Sequence, residues 1–401
     1  MKVEGPTFRQ GEQKLNSKKL IWGYFISIIG LFFYSFTQVD LGLTLSKLST
    51  WQIVQKYFQS IGYFQRSLSS SLFVIIIALL FFFYLMILHQ IQKNRISKRS
   101  IWILIIAIVI ILSFSYNAFS YDLFNYIFDA KIVTYYHLNP YMYKALDFPG
   151  DSMLSFMHWT HRVYPYGPIW LILTAPISFI GFQIFLPTFF LFKIFISICF
   201  LGTVFYTGKI LQKFSPKDEL FGIAFFALNP LVITESLVSA HNDIAMIFLA
   251  MWAMYLLANF KYVRSFILLF LSIGIKFSTF ILAPFFLLII FLRSKKKTIN
   301  WPLVFAATTA SMIIPVFLAS HRTTFQPWYL LSILPFAALV AKKYYVFIPS
   351  VIISIFAVFE YLPFLYLGNW GKPVPLILFW MTAGSVLFSA VIVMVKFLRT
   401  K

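Results

Sequence analysis

Apolar residues in this chain come in runs too long and uniform for a half-buried strand or the single stripe of a soluble helix. Segments 73–88 and 101–112 are apolar on every face, which suits membrane helices and excludes the alternating strands of a β-barrel. The runs predict spans near 20–37, 71–91, 101–117, 184–207, 219–236, 244–260, 265–277, 279–292, 302–319, 327–341, 344–366 and 375–396, about 12 crossings with both termini cytoplasmic. One segment departs from the pattern. Residues 167–182 are apolar but only about 15 long and open on Pro168, a length for a re-entrant or interfacial helix. The expected fold class is an all-α polytopic membrane protein. A single integral membrane domain covers 1–401, with a cytoplasmic head over 1–19, short extracytoplasmic juxtamembrane helices in the loop 118–167, and an outer region reaching 183. No small-residue cleavage site follows the first span, which therefore reads as an uncleaved anchor.

Composition sharpens this picture. With 60% hydrophobic residues, 11% charged and a mean hydropathy of +0.84, a soluble domain is excluded. The net charge of +21 does not point to nucleic acid, because the basic residues sit in short clusters between spans, as in Lys93/Arg95/Lys98/Arg99 and Arg293/Lys295/Lys296/Lys297. That is the positive-inside signature of a plasma-membrane protein among lipids. If 167–182 does not cross, most of the 33 Lys and Arg residues share the cytoplasmic side; if it crosses, that asymmetry collapses. The non-crossing arrangement puts loop 118–167, the 241–243 turn, the 321–322 turn and the surroundings of Lys276 on the outer face. No G-x-G-x-x-G or Walker sequence lies in the cytoplasmic loops, so an energy-rich substrate has to arrive outside already activated, naturally on a lipid carrier. Cys199 is the single cysteine, and no internal disulfide can form.

Chemistry concentrates in residues 120–168, which hold four of the twelve acidic residues (Asp122, Asp129, Asp147, Asp151) and three of the six histidines. Asp122 lies just past the third span among apolar neighbours, where desolvation is expected to raise its proton affinity toward general-base work; it would equally cap a helix. Asp129 follows two helical turns later and could share its face with Asp122. Asp147 and Asp151 read as turn acceptors. His161 and Arg162 lead into Tyr164-Pro165-Tyr166-Gly167-Pro168, where cations could hold a phosphate and tyrosines a sugar or isoprenoid; an interfacial aromatic belt is the plainer reading. Glu235 and His241-Asn242-Asp243 lie where two apolar spans meet, a place for hydroxyl recognition or for a simple connecting turn. Lys276 interrupts an apolar stretch and needs an anionic partner, either a lipid phosphate or one of Glu235 and Asp243. His321 and Arg322, followed by Gln326-Pro327-Trp328-Tyr329, form a second cationic and aromatic cluster on the same side. Lys193 reads as packed or snorkelling.

The acid in the first large outer loop, the Asn139-Pro140-Tyr141 turn, the Tyr164–Pro168 turn and the Asn229-Pro230…Glu235…His241-Asn242-Asp243 helix pair resemble the GT-C superfamily. The likeness is to bacterial polyprenyl-phosphomannose-dependent mannosyltransferases, over roughly half the chain. That resemblance implies an inverting glycosyltransferase moving a sugar, mannose by preference, from a polyprenyl-monophosphate donor to an acceptor hydroxyl of a glycan, lipid or protein. It places the catalytic base on Asp122 and lipid-phosphate contacts on Lys276, Arg322, His321 and Arg162. Substrate contacts fall to Tyr126, Asp129, His161, Tyr164, Tyr166, Glu235, His241, Asn242, Asp243, Gln326 and Trp328. The chain differs from the family pattern in placing its acid after the third span and in having one Asp in place of an Asp-x-Asp pair. A divalent metal is therefore left open, and no other cofactor is implied. A transporter or flippase of lipid-linked glycans is the rival reading, yet transporters favour repeated halves and midplane charges, whereas the acids here gather at one face. A polysaccharide polymerase or ligase would want more outward arginines than Arg66, Arg162 and Arg322.

Overall fold

A backbone in lipid has to bond its own N–H and C=O groups within each segment, so the apolar runs fold as helices. The computed structural model describes residues 6–400, which are 76% helical with no strand among them. The expected head, 1–19, begins outside the described residues, and Lys401 of the last basic cluster also falls outside them. In chain order the helices are α1 (Pro6–Ser35), α2 (Ser49–Gln59), α3 (Arg66–Gln92), α4 (Lys98–Ser113), α5 (Asp122–Thr134), α6 (Pro168–Ile180), α7 (Phe185–Phe214), α8 (Glu219–Ala227) and α9 (Pro230–Ile233). They continue with α10 (Asp243–Ala258), α11 (Tyr262–Ile273), α12 (Ala283–Ser294), α13 (Trp301–Ser311), α14 (Ile313–Arg322), α15 (Leu334–Ala338), α16 (Tyr344–Phe359), α17 (Leu362–Leu367) and α18 (Val374–Thr400).

The expected count of about twelve crossings is not confirmed. Seven helical stretches among the described residues are long and apolar enough to span a bilayer: Ser17–Gln38, Arg66–Gln92, Phe185–Phe214, Phe277–Ser294, Trp301–Arg322, Tyr344–Leu367 and Val374–Arg399. An eighth is available if the pair Pro216–Ala227 and Pro230–Val238, bent by 54°, is one broken span. The other expected spans are short or interrupted. Helices α4, α10 and α11 have 16, 16 and 12 residues. At 1.5 Å per residue these reach about 18–24 Å, short of a hydrocarbon core of about 30 Å. Segment 327–341 splits into a 3₁₀ turn, Pro327–Ser332, and the five-residue α15. Hydropathy registers apolar composition but not the backbone breaks that Asn229-Pro230, Gly274-Ile275-Lys276, Pro327 and Pro335 introduce.

These breaks build the site. The 13-residue α6 carries Pro176 inside it and is too short to span. Its entry is tied to the break after α11, because Gly167 N–H donates to Ile275 O at 3.1 Å and Ile169 N–H to Gly274 O at 3.0 Å. A Cβ on Gly167 would lie 2.1 Å from the Gly274 oxygen, so this approach requires glycine. Helix α10 packs between α7 and α11, α1 lies on α3, and α5 rests on α6.

Residues 221–247 are buried without interruption and form the centre of the bundle. Within this stretch lie Thr234, Glu235, Ser236, Ser239, His241, Asn242 and Asp243, a polar cluster surrounded by apolar helices. Lys193, on α7, clamps it. Its ammonium donates to Leu237 O, to Val238 O at 3.0 Å and to Ser115 Oγ at 3.1 Å, tying the carbonyl end of the bent segment to the strand of chain that leads into α5. The short α2, absent from the hydropathy reading, buries Gln55 and Gln59 and exposes Ile53 and Tyr57, the inverted polarity of a helix lying at a membrane interface.

Candidate active site

Asp122 is the first residue of α5, where a carboxylate is favoured by the unpaired N–H groups and the helix dipole, worth about 0.3–1 kcal/mol. Ser120 Oγ accepts from Asp122 N–H at 3.2 Å and sets the turn that starts the helix. The far end of α5 is stapled by Lys131, whose ammonium lies 2.5 Å from Asp151 Oδ2. Asp151 also accepts from Tyr136 OH at 2.8 Å and Met153 N–H at 2.9 Å, and Asp147 accepts from Lys144 N–H at 3.0 Å. Both acids hold the loop together and stand apart from the chemistry.

The Asp122 carboxylate, 15% exposed, faces His241 from 119 residues away in sequence: Oδ2 lies 3.6 Å from His241 Nδ1. On the opposite edge of the ring, His241 Nε2 lies 3.3 Å from Glu235 Oε2, and both of those side chains are fully buried. Tyr361 OH donates to the other Glu235 oxygen at 2.9 Å. Trp328 stacks on the imidazole with centroids 4.2 Å apart and planes at 18°. Burial alone would favour a neutral ring, but the two carboxylates more than offset it and raise the His241 pKa to about 9. An imidazolium therefore bridges two anions.

That bridge corrects the expectation for Asp122. Burial does raise its proton affinity, but His241, Lys276 and Arg162 outweigh burial, and the carboxyl sits below its usual range. Asp122 is thus a standing carboxylate, held charged by cations that the local sequence does not reveal.

Lys276 is delivered by the extended break between α11 and the Phe277–Leu282 turn. Its ammonium lies 2.6 Å from Asp243 Oδ2, which resolves the alternatives read from sequence in favour of Asp243 over Glu235. The same ammonium sits 5.6 Å from the Tyr166 ring centroid. Tyr166 OH in turn points at Asp122 Oδ2 at 3.5 Å, so Lys276, Tyr166, Asp122 and His241 form one continuous wall. Tyr126 packs edge-on against Tyr166 and Trp170, with centroids at 5.1 and 5.2 Å. Tyr164 secures the turn by donating to Gly167 O at 2.9 Å, and Tyr141 OH donates to Tyr166 O at 3.0 Å.

Buried atoms without a hydrogen-bond partner gather here. They include both amide atoms of Asn242, Ser236 Oγ, Ser239 Oγ, Thr234 Oγ1, Tyr126 OH and Asn125 Oδ1. Such atoms cost free energy when left unmet, and a polyhydroxy or phosphate ligand would satisfy them. Asp129 and Arg162 line a cleft next to Tyr166, one wall further along α5.

Other expected residues stay outside this wall. His321 and Arg322 are exposed at the end of α14 and make no hydrogen bond or ion pair with the wall among the described residues. His161 is exposed beside Trp159, with ring centroids 6.4 Å apart. Gln326 starts the 3₁₀ turn that carries Trp328 and bonds Thr324 Oγ1 at 2.9 Å. Tyr361, Asn125, Trp159 and Asp40 are the members that sequence reasoning passed over, while Lys193, read as packed or snorkelling, is buried and packed. Asp40 accepts from Tyr121 OH at 3.4 Å and lies 3.7 Å from His158 Nε2, bracing the residue before Asp122. The acid at 360 inside an apolar run was the signal that could have pointed to Tyr361. For a metal, among the described residues no three His, Cys, Asp or Glu side chains converge as ligands. Both ring nitrogens of His241 face carboxylates, which makes it a bridge between anions and a poor metal ligand.

Comparison with known proteins bears on this wall of acid, imidazolium and ammonium. No curated protein and no solved structure matches the chain. A family model does, over residues 28–292, which carries Asp122, Tyr166, Glu235, His241, Asp243 and Lys276 within it. The chain belongs to that family, the MptA_B family described as alpha-(1->6)-mannopyranosyltransferase, N-terminal domain, and is therefore a membrane-embedded glycosyltransferase of the GT-C type.

Proposed function

We propose that this mannosyltransferase draws mannose from a polyprenyl-monophosphate carrier and transfers it, with inversion, to an acceptor hydroxyl at the extracytoplasmic face. The observation that carries the reading is the Asp122 carboxylate, solvent-accessible on one side and backed by buried His241 at 3.6 Å on the other. The acceptor oxygen attacks the anomeric carbon while the bond from that carbon to the phosphate oxygen breaks. The electron pair leaves with the lipid phosphate, and the hydroxyl proton passes to an Asp122 oxygen. A carboxylate of low proton affinity suits this order of events, because an oxocarbenium-like transition state makes the hydroxyl acidic late. Lys276, oriented by Asp243 at 2.6 Å, meets the charge developing on the phosphate. His241 keeps Asp122 ionised and aimed, and Glu235 with Tyr361 keeps His241 protonated and aimed. The outer location is supported by the asymmetry of Lys and Arg and by the lack of a nucleotide-binding motif in the cytoplasmic loops.

The test is transfer by purified protein from labelled polyprenyl-phosphomannose to a mannoside. The expected outcome is a product of inverted anomeric configuration together with one equivalent of polyprenyl phosphate. Turnover with a nucleotide sugar in place of the lipid donor, or a product of retained configuration, would contradict the proposal.

A further inference from the structure

At the end of the bundle away from Asp122, helices α4, α7 and α8 leave an open groove with a free volume of about 360 Å³. Lys98 and Trp102 line it from α4, Phe205 and Lys209 from α7, and Glu219 and Ile223 from α8. Lys193, at the buried polar cluster, and Lys209, in the groove, both belong to α7. They are sixteen residues apart, about 24 Å at 1.5 Å per residue, so the groove is a separate place from the catalytic wall.

The three walls repeat one order. Lys98 with Trp102, Lys209 with Phe205, and Glu219 with Ile223 are pairs four residues apart on one helix, so the members of each pair share a face. In every pair the charged member lies nearer the helix end and the apolar member one turn deeper. The groove is thus charged at its mouth and apolar inside, the polarity of a phospholipid seated headgroup outward. A Cβ on Gly208, also in the lining, would lie 2.9 Å from Ile223 Cδ1 and 3.9 Å from Glu219 Oε1, so glycine keeps the floor between α7 and α8 clear.

Positive charge is left over at the mouth. Glu219 is the carboxylate among the lining residues, and Lys98 neutralises it at 2.6 Å. The neighbouring Asp218 is paired with Lys342 at 2.7 Å. Lys213 is spent on Ala258 O at 3.0 Å and Asn259 Oδ1 at 2.7 Å. The Lys209 ammonium lies 5.4 Å from the Phe205 ring centroid and has neither an acidic partner nor a hydrogen bond among the described residues. Arg95 and Arg99 flank Lys98 and add to the same field.

We propose that this groove binds one anionic phospholipid of the cytoplasmic leaflet, with its phosphate on Lys209 and an acyl chain between Trp102 and Phe205. The leaflet follows from the asymmetry of Lys and Arg, and nothing else in the proposal depends on the transferase reading. Basic pockets between membrane helices take acidic headgroups, and a lysine suits the task because its alkyl stem lies along apolar surface while its ammonium meets the phosphate. A zwitterionic lipid brings an ammonium of its own, which a mouth of net positive charge repels. The bound lipid holds α8 against α4 beside the Lys98–Glu219 bridge. Helix α8 is the first arm of the bent segment that carries Glu235.

The experiment takes full-length protein, purified in detergent and stripped of lipid, with no sugar donor or acceptor. It is titrated with phosphatidylglycerol, with phosphatidylcholine of the same chains and with glycerol 1-phosphate, while native mass spectrometry counts bound molecules and thermal unfolding reads stability. One phosphatidylglycerol should bind about tenfold more tightly than phosphatidylcholine and raise Tm, and glycerol 1-phosphate should not displace it. Lys209→Gln should weaken phosphatidylglycerol binding about five- to tenfold, with a lipid-free unfolding midpoint equal to that of the wild type. Lys209→Arg should keep the affinity. Lys297→Gln, which removes one charge from the exposed cluster after α12, should leave it unchanged. Equal affinity for the two lipids, or displacement by glycerol 1-phosphate, would overturn the inference. So would equal weakening in Lys209→Gln and Lys297→Gln, or a Lys209→Arg variant as weak as Lys209→Gln.

Discussion

The buried turn at 235–243 and the exposed turn at 321–326 look alike in sequence, since each sets charged residues and a histidine at the end of an apolar run. Their fates in the fold differ. His241 is fully buried between two carboxylates, stacked on Trp328 and held by a chain of contacts reaching Tyr361. His321 and Arg322 stand exposed at the end of α14, apart from that chain. In a low-dielectric interior a charge is kept only where others compensate it, so each buried ionised group specifies the place of its neighbours. An exposed cation is screened by water and salt and specifies little. Of the two turns, only the first has the preorganisation that catalysis needs.

Substitutions can break or sharpen this contrast. Asp122→Asn should lower kcat by about 10³-fold or more while leaving thermal unfolding nearly unchanged, since it removes the proton acceptor and keeps the shape. His241→Ala should cost about 100-fold in kcat. It should also destabilise the fold by about 3–5 kcal/mol, because fully buried Glu235 and partly buried Asp122 lose the cation between them. The double change His241→Gln with Glu235→Gln should regain stability in thermal denaturation without regaining rate. Lys276→Met should lower kcat/KM by about 10–100-fold, read in the same transfer assay.

Stability should also follow pH. The His241 value is raised from 6.5 to about 9 on folding, so its stabilising contribution is complete below 6.5 and is lost as pH climbs through about 9. The contribution of Asp122 has the opposite sign. Its value is lowered from 3.8, and its stabilisation is lost as pH falls through the folded value. Melting temperature should therefore drop between pH 7 and 10, and this drop should shrink in His241→Gln. Arg322→Ala should change kcat/KM by about twofold at most, as expected of a surface cation.

Much of the site was legible in the sequence, for a physical reason. Acids, histidines and a lysine that interrupt apolar runs are costly there, so Asp122, Glu235, His241, Asp243 and Lys276 stand out before any fold is known. The fold brings them into one wall. What sequence could not supply was pairing. The acidity of Asp122 goes the opposite way from local expectation because its cations arrive from 162, 241 and 276. The count of crossings failed where proline, glycine and lysine break helices inside apolar windows, and those same breaks deliver Lys276 and open α6.

The central claim is that Asp122 and His241 act as one unit, and a double-mutant cycle on kcat/KM for mannosyl transfer tests it most directly. The account predicts that Asp122→Asn combined with His241→Gln is no slower than Asp122→Asn alone, since His241 works only through the carboxylate it holds. Losses that multiply, with the double variant slower than Asp122→Asn by the full factor that His241→Gln costs by itself, would contradict it.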